Sequence, residues 1–212
     1  NETNQYKFTT DLYIHTNREK LSKEDFHEYT NGNINIIYHD LFNIHPYKLT
    51  WKCRALMKKQ ANNYDIFIYI EDDILIPFNA ILYWLKYNKT LIRRKYNLGF
   101  MRIEIKNNEE FITDLPGKNL NSTINLDKID YCINDVNPYC AMWIYNRDEF
   151  NNFVRSKYYN IDNIPGYEIR EASAIGLGGI SNYWYQGTLI PLINNKLDCN
   201  CKIYHLPNNY VN

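Results

Sequence analysis

Ile66-Phe67-Ile68-Tyr69-Ile70 runs apolar without alternation, and Glu71-Asp72-Asp73 follows it at once. A strand with two apolar faces needs cover on both, the condition of an interior strand in a parallel sheet. The run therefore predicts the central strand of one α/β domain, with three carboxylates at its C-terminal end. Pro77 then opens a helix that carries Phe78, Ile81, Leu82 and Leu85 at i, i+3, i+4 and i+7.

Upstream, Leu12 to Asn17 reads as a first strand ending in a polar turn and Asn35 to His39 as a second, with a helix-like segment between them. That is the outline of a βαβ unit. After His45-Pro46, the segment from Lys48 to Ala61 sets Leu49, Cys53, Leu56 and Met57 on one helical stripe. Lys48, Lys52, Arg54, Lys58 and Lys59 lie mostly off it and read as a solvated basic face.

Downstream, Leu98 to Ile105 alternates, with Met101, Ile103 and Ile105 on one face and Phe100, Arg102 and Glu104 on the other. Residues 106–137 are polar, Asn-rich and without clear periodicity, which predicts a long connection. Tyr139 to Tyr145 is a second buried-strand candidate. Asn146 and Glu149 then form a capping box ahead of a helix carrying Phe150, Phe153 and Val154. Glu168 to Leu177 reads as a short helix closed by Gly178-Gly179, and Tyr204-His205-Leu206 as a late extended piece.

The chain has 212 residues, a length that suits one domain, and its 24 basic residues balance its 24 acidic ones. No global field draws it to nucleic acid or to an anionic membrane, so neither is an expected partner of this fragment. Aromatic residues make up 16% of the chain, which suits a surface that stacks on rings or sugars, although an AT-rich gene would enrich Tyr and Asn by itself. The five cysteines lack paired CxxC spacing, and their odd number leaves at least one thiol free. A Cys132–Cys140 bridge stays open. Sequons at Asn1, Asn88 and Asn121 do not decide the compartment. A start at Asn1 rather than Met suggests a domain excised from a longer chain.

Three consecutive carboxylates after a buried strand call for a neutralising cation. Mg²⁺ or Mn²⁺ takes oxygen ligands, commonly one or two protein carboxylates completed by water and substrate phosphates. On spacing alone, the same acids could instead cap the helix that Pro77 opens. Tyr69-Ile70-Glu71-Asp72-Asp73 resembles the DxD-type motif of glycosyltransferases of the GT-A fold. Three fragments are similar to uncharacterised glycosyltransferases: His45 to Trp51, Phe100-Met101-Arg102-Ile103-Glu104, and Arg170-Glu171-Ala172-Ser173-Ala174. The resemblance spans most of the chain loosely and Phe67 to Leu85 tightly.

The resemblance implies a Rossmann-like three-layer α/β/α domain over residues 1–212 with a mostly parallel central sheet. Residues to about 105 would form its nucleotide and metal half, and those from about 106 its acceptor half. It implies a metal-dependent hexosyltransferase that moves a sugar from a nucleotide-sugar, a UDP-sugar first, to a glycan, protein or other hydroxyl. Glu71, Asp72, Asp73 and a late histidine, His205, would hold Mn²⁺ or Mg²⁺. Thr16, Asn17, Arg18, Asp72 and Arg102 would contact the donor. If the reaction inverts, Glu171 would serve as its base, with Glu168 and Arg170 beside it; the family also has retaining members that need no such base, so the stereochemical outcome stays open. Two other readings stay open: a sugar-binding module that has lost the chemistry, and a nucleotidyltransferase using the same carboxylates. The second would normally show a Gly-rich phosphate loop, which Leu12 to Arg18 lacks.

Overall fold

A computed structural model of the chain describes residues 5, 7–29, 31–115, 117–160, 166–177, 184–207 and 209–210. Its strands are β1 (Leu12–Thr16), β2 (Ile34–Tyr38), β3 (Ile66–Ile70), β4 (Ile74–Leu75), β5 (Asn97–Leu98), β6 (Met101–Lys106), β7 (Glu109–Ile112), β8 (Thr123–Leu126), β9 (Ile129–Ile133), β10 (Met142–Asn146), β11 (Thr188–Ile193), β12 (Lys196–Leu197) and β13 (Lys202–His205). Its helices are α1 (Cys53–Lys59), α2 (Phe78–Arg93), α3 (Arg147–Arg155) and α4 (Ile169–Ser173). They fall into two compact units. One comprises Asn1–Phe67 and Ile144–Ser173, the other Ile68–Trp143 and Ala174–Asn212. The helix closure expected at Gly178-Gly179 lies outside the described residues.

In the first unit β1 and β2 pair in parallel, with Leu12 opposite Ile34 and Thr16 opposite Tyr38. The segment between them forms a short 3-10 turn, Lys23–Phe26, in place of the expected helix. Gly32 enters β2 at φ +129°, where a Cβ would fall 2.3 Å from the Thr10 carbonyl oxygen, so no side chain fits there. The α3 start is the capping box its sequence predicts: Asn146 Oδ1 accepts from the Glu149 N–H, and Glu149 Oε2 from the Asn146 N–H. This fixes the helix so that Phe150 and Phe153 are fully buried, with Phe150 stacked on Phe67 at 4.2 Å. Arg54 departs from the expected basic face, because it is buried, and its guanidinium lies 3.6 Å from the Trp51 ring centroid.

The second unit is built on hairpins. A four-stranded sheet runs β4-β13-β6-β7, and a five-stranded one runs β12-β11-β9-β8 with β5 against β11. Three connections are two-residue turns with both residues at positive φ: Asn107-Asn108, Asp127-Lys128 and Asn194-Asn195. Such turns match the right-handed twist of antiparallel strands. Residues 106–137, expected as an unstructured connection, thus hold β7, β8 and β9.

The helix α2 buries Ala80, Ile81, Tyr83, Trp84, Tyr87, Asn88 and Leu91, whereas Leu82 and Leu85 of the expected stripe are exposed. Its tyrosines set this rotation. The Tyr83 hydroxyl donates to the Gly99 carbonyl at 2.7 Å, and the Tyr87 hydroxyl to Asp198 at 3.1 Å, so each ring is buried with its polar end satisfied. All five cysteines are free, and Cys132 and Cys140 are not bridged.

The expected three-layer, mostly parallel architecture is therefore incorrect. The chain is a mixed and largely antiparallel multi-sheet α+β arrangement, 28% helical, too little helix to cover both faces of a parallel sheet. β3 is not a central strand but pairs with β10 in a two-stranded sheet. Phe67 and Tyr69 point inward while Ile66 and Ile68 are half-buried and Ile70 is exposed. Isoleucine suits a pleated, half-buried surface whether or not its face is covered, and this is why the apolar run overstated the burial.

Candidate metal and carboxylate site

The C-terminal strand decides the geometry around the acidic cluster. β13 lies between β4 and β6, antiparallel to the first and parallel to the second. His205 pairs with Ile74, the residue after Asp73, and the Leu206 N–H donates to the Asp73 carbonyl at 2.9 Å. On the β6 side Tyr204 is opposite Ile103, which brings His205 level with Glu104. One histidine thereby stands between two carboxylates. Its Nε2 is 3.3 Å from Asp73 Oδ2, and its Nδ1 is 2.5 Å from Glu104 Oε1. His205 is 5% exposed and Glu104 fully buried, so water does not screen their contact. The second oxygen of Glu104 accepts from the Tyr210 N–H at 2.9 Å, and the Tyr210 ring lies 5.4 Å from the imidazole.

Of the four expected metal ligands, the structure brings Asp73 and His205 together. Among the described residues Asp73 Oδ1 is buried without a hydrogen-bond partner, a costly state for a carboxylate oxygen unless a ligand supplies one. Adjacent ligands of an octahedral ion with bonds near 2.1 Å stand about 3 Å apart. The 3.3 Å between His205 Nε2 and Asp73 Oδ2 is close to that span. Glu71 turns towards Tyr139, whose hydroxyl donates to its Oε1 at 3.4 Å, and Asp72 is exposed. Among the described residues no group of three or more His, Cys, Asp or Glu side chains is arranged to hold a metal ion. The pair fits a cation only as two protein ligands completed by substrate oxygens, a common mode for Mg²⁺.

Arg102, expected at the donor, makes a buried bidentate pair with Asp114, Nη2 to Oδ1 at 2.7 Å and Nε to Oδ2 at 3.1 Å. Its guanidinium also stacks against Tyr139 and Tyr210. Burial, only partly offset by Arg102, raises the Asp114 carboxyl above its usual range. Arg102 is thus engaged in a buried ion pair with Asp114.

Thr16, Asn17, Arg18 and Glu171 belong to the first unit. Thr16 is buried and its Oγ1 accepts from the Arg18 N–H at 3.0 Å, while Asn17 and Arg18 are exposed. Next to Thr16, His15 Nδ1 lies 2.8 Å from His39 Nε2 with the two rings stacked. Glu171 sits in α4 with Oε1 3.4 Å from Arg170 Nη2, and its Oε2 is buried without a hydrogen-bond partner among the described residues.

Glu104 and Asp114 were not anticipated in these roles. The available signal was that Arg102 and Glu104 share one face of β6, a strand whose first four residues are buried on both faces. No helix among the described residues is long and apolar enough to cross a membrane. No family model, no curated protein and no solved structure matches the chain.

Proposed function

We propose that this chain is a divalent-cation-dependent glycosyltransferase, moving a sugar from a nucleotide-sugar to a hydroxyl acceptor, with Asp73 and His205 as the protein ligands of Mn²⁺ or Mg²⁺. The observation that carries the reading is the buried Oδ1 of Asp73, without a hydrogen-bond partner among the described residues, on a carboxylate whose Oδ2 is 3.3 Å from His205 Nε2. The reading rests on this pair and on the acidic motif, and takes nothing from the fold. When bound, the cation would supply Lewis-acid stabilisation of the departing diphosphate. Asp73 and His205 leave the remaining coordination positions to water and to the donor's phosphate oxygens. Tyr210, which lies against Arg102 and is 56% exposed, offers a ring face of the kind that packs on sugars and bases. For the expected base, Glu171, the supporting feature is its unpartnered Oε2.

Screening nucleotide-sugars for Mn²⁺-dependent hydrolysis and transfer tests this reading. Turnover is expected with at least one UDP-sugar and is expected to vanish on chelation. Asp73→Ala is expected to lose both cation and donor affinity, because Asp73 would help hold the cation to which the donor's diphosphate would bind. Glu171→Gln should slow transfer while leaving donor affinity unchanged. Unchanged Mn²⁺ and nucleotide affinity in Asp73→Ala would remove the cluster from any mechanism.

A further inference from the structure

We propose that Glu104 is a positioning residue that sets His205 as a cation ligand and ties the end of the chain to the same point. The inference rests on the metal-site reading above and extends it to a residue that touches neither cation nor substrate. Glu104 has no exposed surface, and an ionised carboxylate in that position needs hydrogen-bond donors. Two are given by residues about a hundred positions later in the chain: His205 Nδ1 at Oε1 and the Tyr210 N–H at Oε2.

The consequence for His205 follows from hydrogen-bond chemistry. A carboxylate only accepts, so the nitrogen that faces it carries the hydrogen. In a neutral imidazole the other nitrogen is then bare, and that nitrogen, Nε2, is the one 3.3 Å from Asp73 Oδ2. Two lone-pair-bearing atoms facing each other at that distance repel unless a proton or a metal ion joins them. Glu104 therefore favours the tautomer whose Nε2 is free to take a divalent ion. Carboxylates behind metal-bound histidines act in this way in general, and losing one typically weakens metal binding 10–100-fold.

Glu104→Gln is a discriminating substitution because His205 and Tyr210 both donate to Glu104. A glutamine has one acceptor oxygen. If that oxygen faces His205, the amide NH₂ opposes the Tyr210 N–H. If it faces Tyr210, the NH₂ donates to His205 Nδ1 and moves the histidine's hydrogen to Nε2, where it blocks the cation. Either arrangement breaks one half of the clamp.

The test combines calorimetry of Mn²⁺ alone with ¹⁵N spectra of the histidine rings, recorded metal-free at about pH 9, where an unperturbed imidazole is neutral, and again with Mg²⁺. In the wild type, His205 is expected as the Nδ1–H tautomer, with its Nε2 signal shifted by Mg²⁺. In Glu104→Gln Mn²⁺ affinity is expected to fall 10–100-fold with near-ultraviolet circular dichroism unchanged, and the tautomer to be lost wherever the amide NH₂ faces His205. A role in packing alone would move neither the tautomer nor the affinity of a variant that still folds. If Glu104→Gln does not fold, the wild-type spectrum still decides, because an Nε2–H tautomer overturns the proposal. A wild type that binds no Mn²⁺ overturns the site reading and this role with it. A wild type that binds Mn²⁺ through Asp73 and His205, but with tautomer and affinity unaltered in Glu104→Gln, overturns the role of Glu104 alone.

Discussion

Arg54 keeps its guanidinium against Trp51 and Phe153, and donates to the carbonyls of Tyr158, Tyr159 and Ser173. A planar cation can be satisfied on its face by π electrons and along its edge by carbonyls at once, and an ammonium cannot reproduce both. Arg54→Lys is therefore expected to destabilise the protein by about 2–3 kcal/mol, read as a lower urea midpoint with an unchanged slope. A midpoint equal to wild type would mean that the carbonyl contacts contribute nothing net. Residue identity made the carboxylates of Glu71 to Asp73 visible in the chain, because acids directly after an apolar run are conspicuous. It did not single out Glu104, whose partner His205 is 101 positions away. Nor did it expose Arg54, since a basic residue next to an apolar stripe reads as solvated until aromatic rings from distant segments close over it.

At the scale of elements, the hairpins show how much short-range chemistry determines. Asp127 and Lys128 join β8 to β9 with φ of 51° and 69°, a conformation that costs an ordinary L residue about 1–2 kcal/mol. Lys128→Gly removes that strain at a smaller entropic cost and is expected to raise stability by about 0.5–1 kcal/mol, measured by thermal or urea unfolding. A loss of stability would mean that the lysine side chain makes contacts worth more than the strain. Asn107-Asn108 and Asn194-Asn195 occupy equivalent turns without the same penalty, because Asn tolerates the left-handed region. Those Asn-Asn pairs carry a turn signal that an Asn-rich composition hid. The register of β13 between β4 and β6 was not legible. Alternation shows which residues share a face of a strand and says nothing about which strands lie beside it.

For the whole molecule, formal net charge is zero, so acid sensitivity is set by particular groups rather than by general repulsion. His15 is the clearest of these. Burial, with a smaller contribution from the charge of His39, lowers its pKa from 6.5 to about 4. His39 is lowered as well, mainly by burial. The unfolded chain therefore takes up a proton below about pH 6.5 that the folded chain refuses until about pH 4, and stability falls as pH drops through that window. A loss on the order of 1–2 kcal/mol is expected between about pH 7 and pH 4.5 once solvent screening is allowed for. Urea midpoints across that range should show a shallower fall in His15→Gln, and equal slopes in the two proteins would refute the assignment. The sequence by itself determined what lies within a few residues: the capping box of α3, the parallel-compatible segments β1 and β2, and the acidic turn after β3. Only the tertiary structure decided the architecture, the inward face of α2, and the meeting of Asp73, Glu104 and His205. The reason is physical: capping and turn preferences act through bonds to neighbours in the chain. Sheet order and side-chain burial depend instead on which distant segments compete to cover the same apolar surface, and no local pattern records the outcome of that competition.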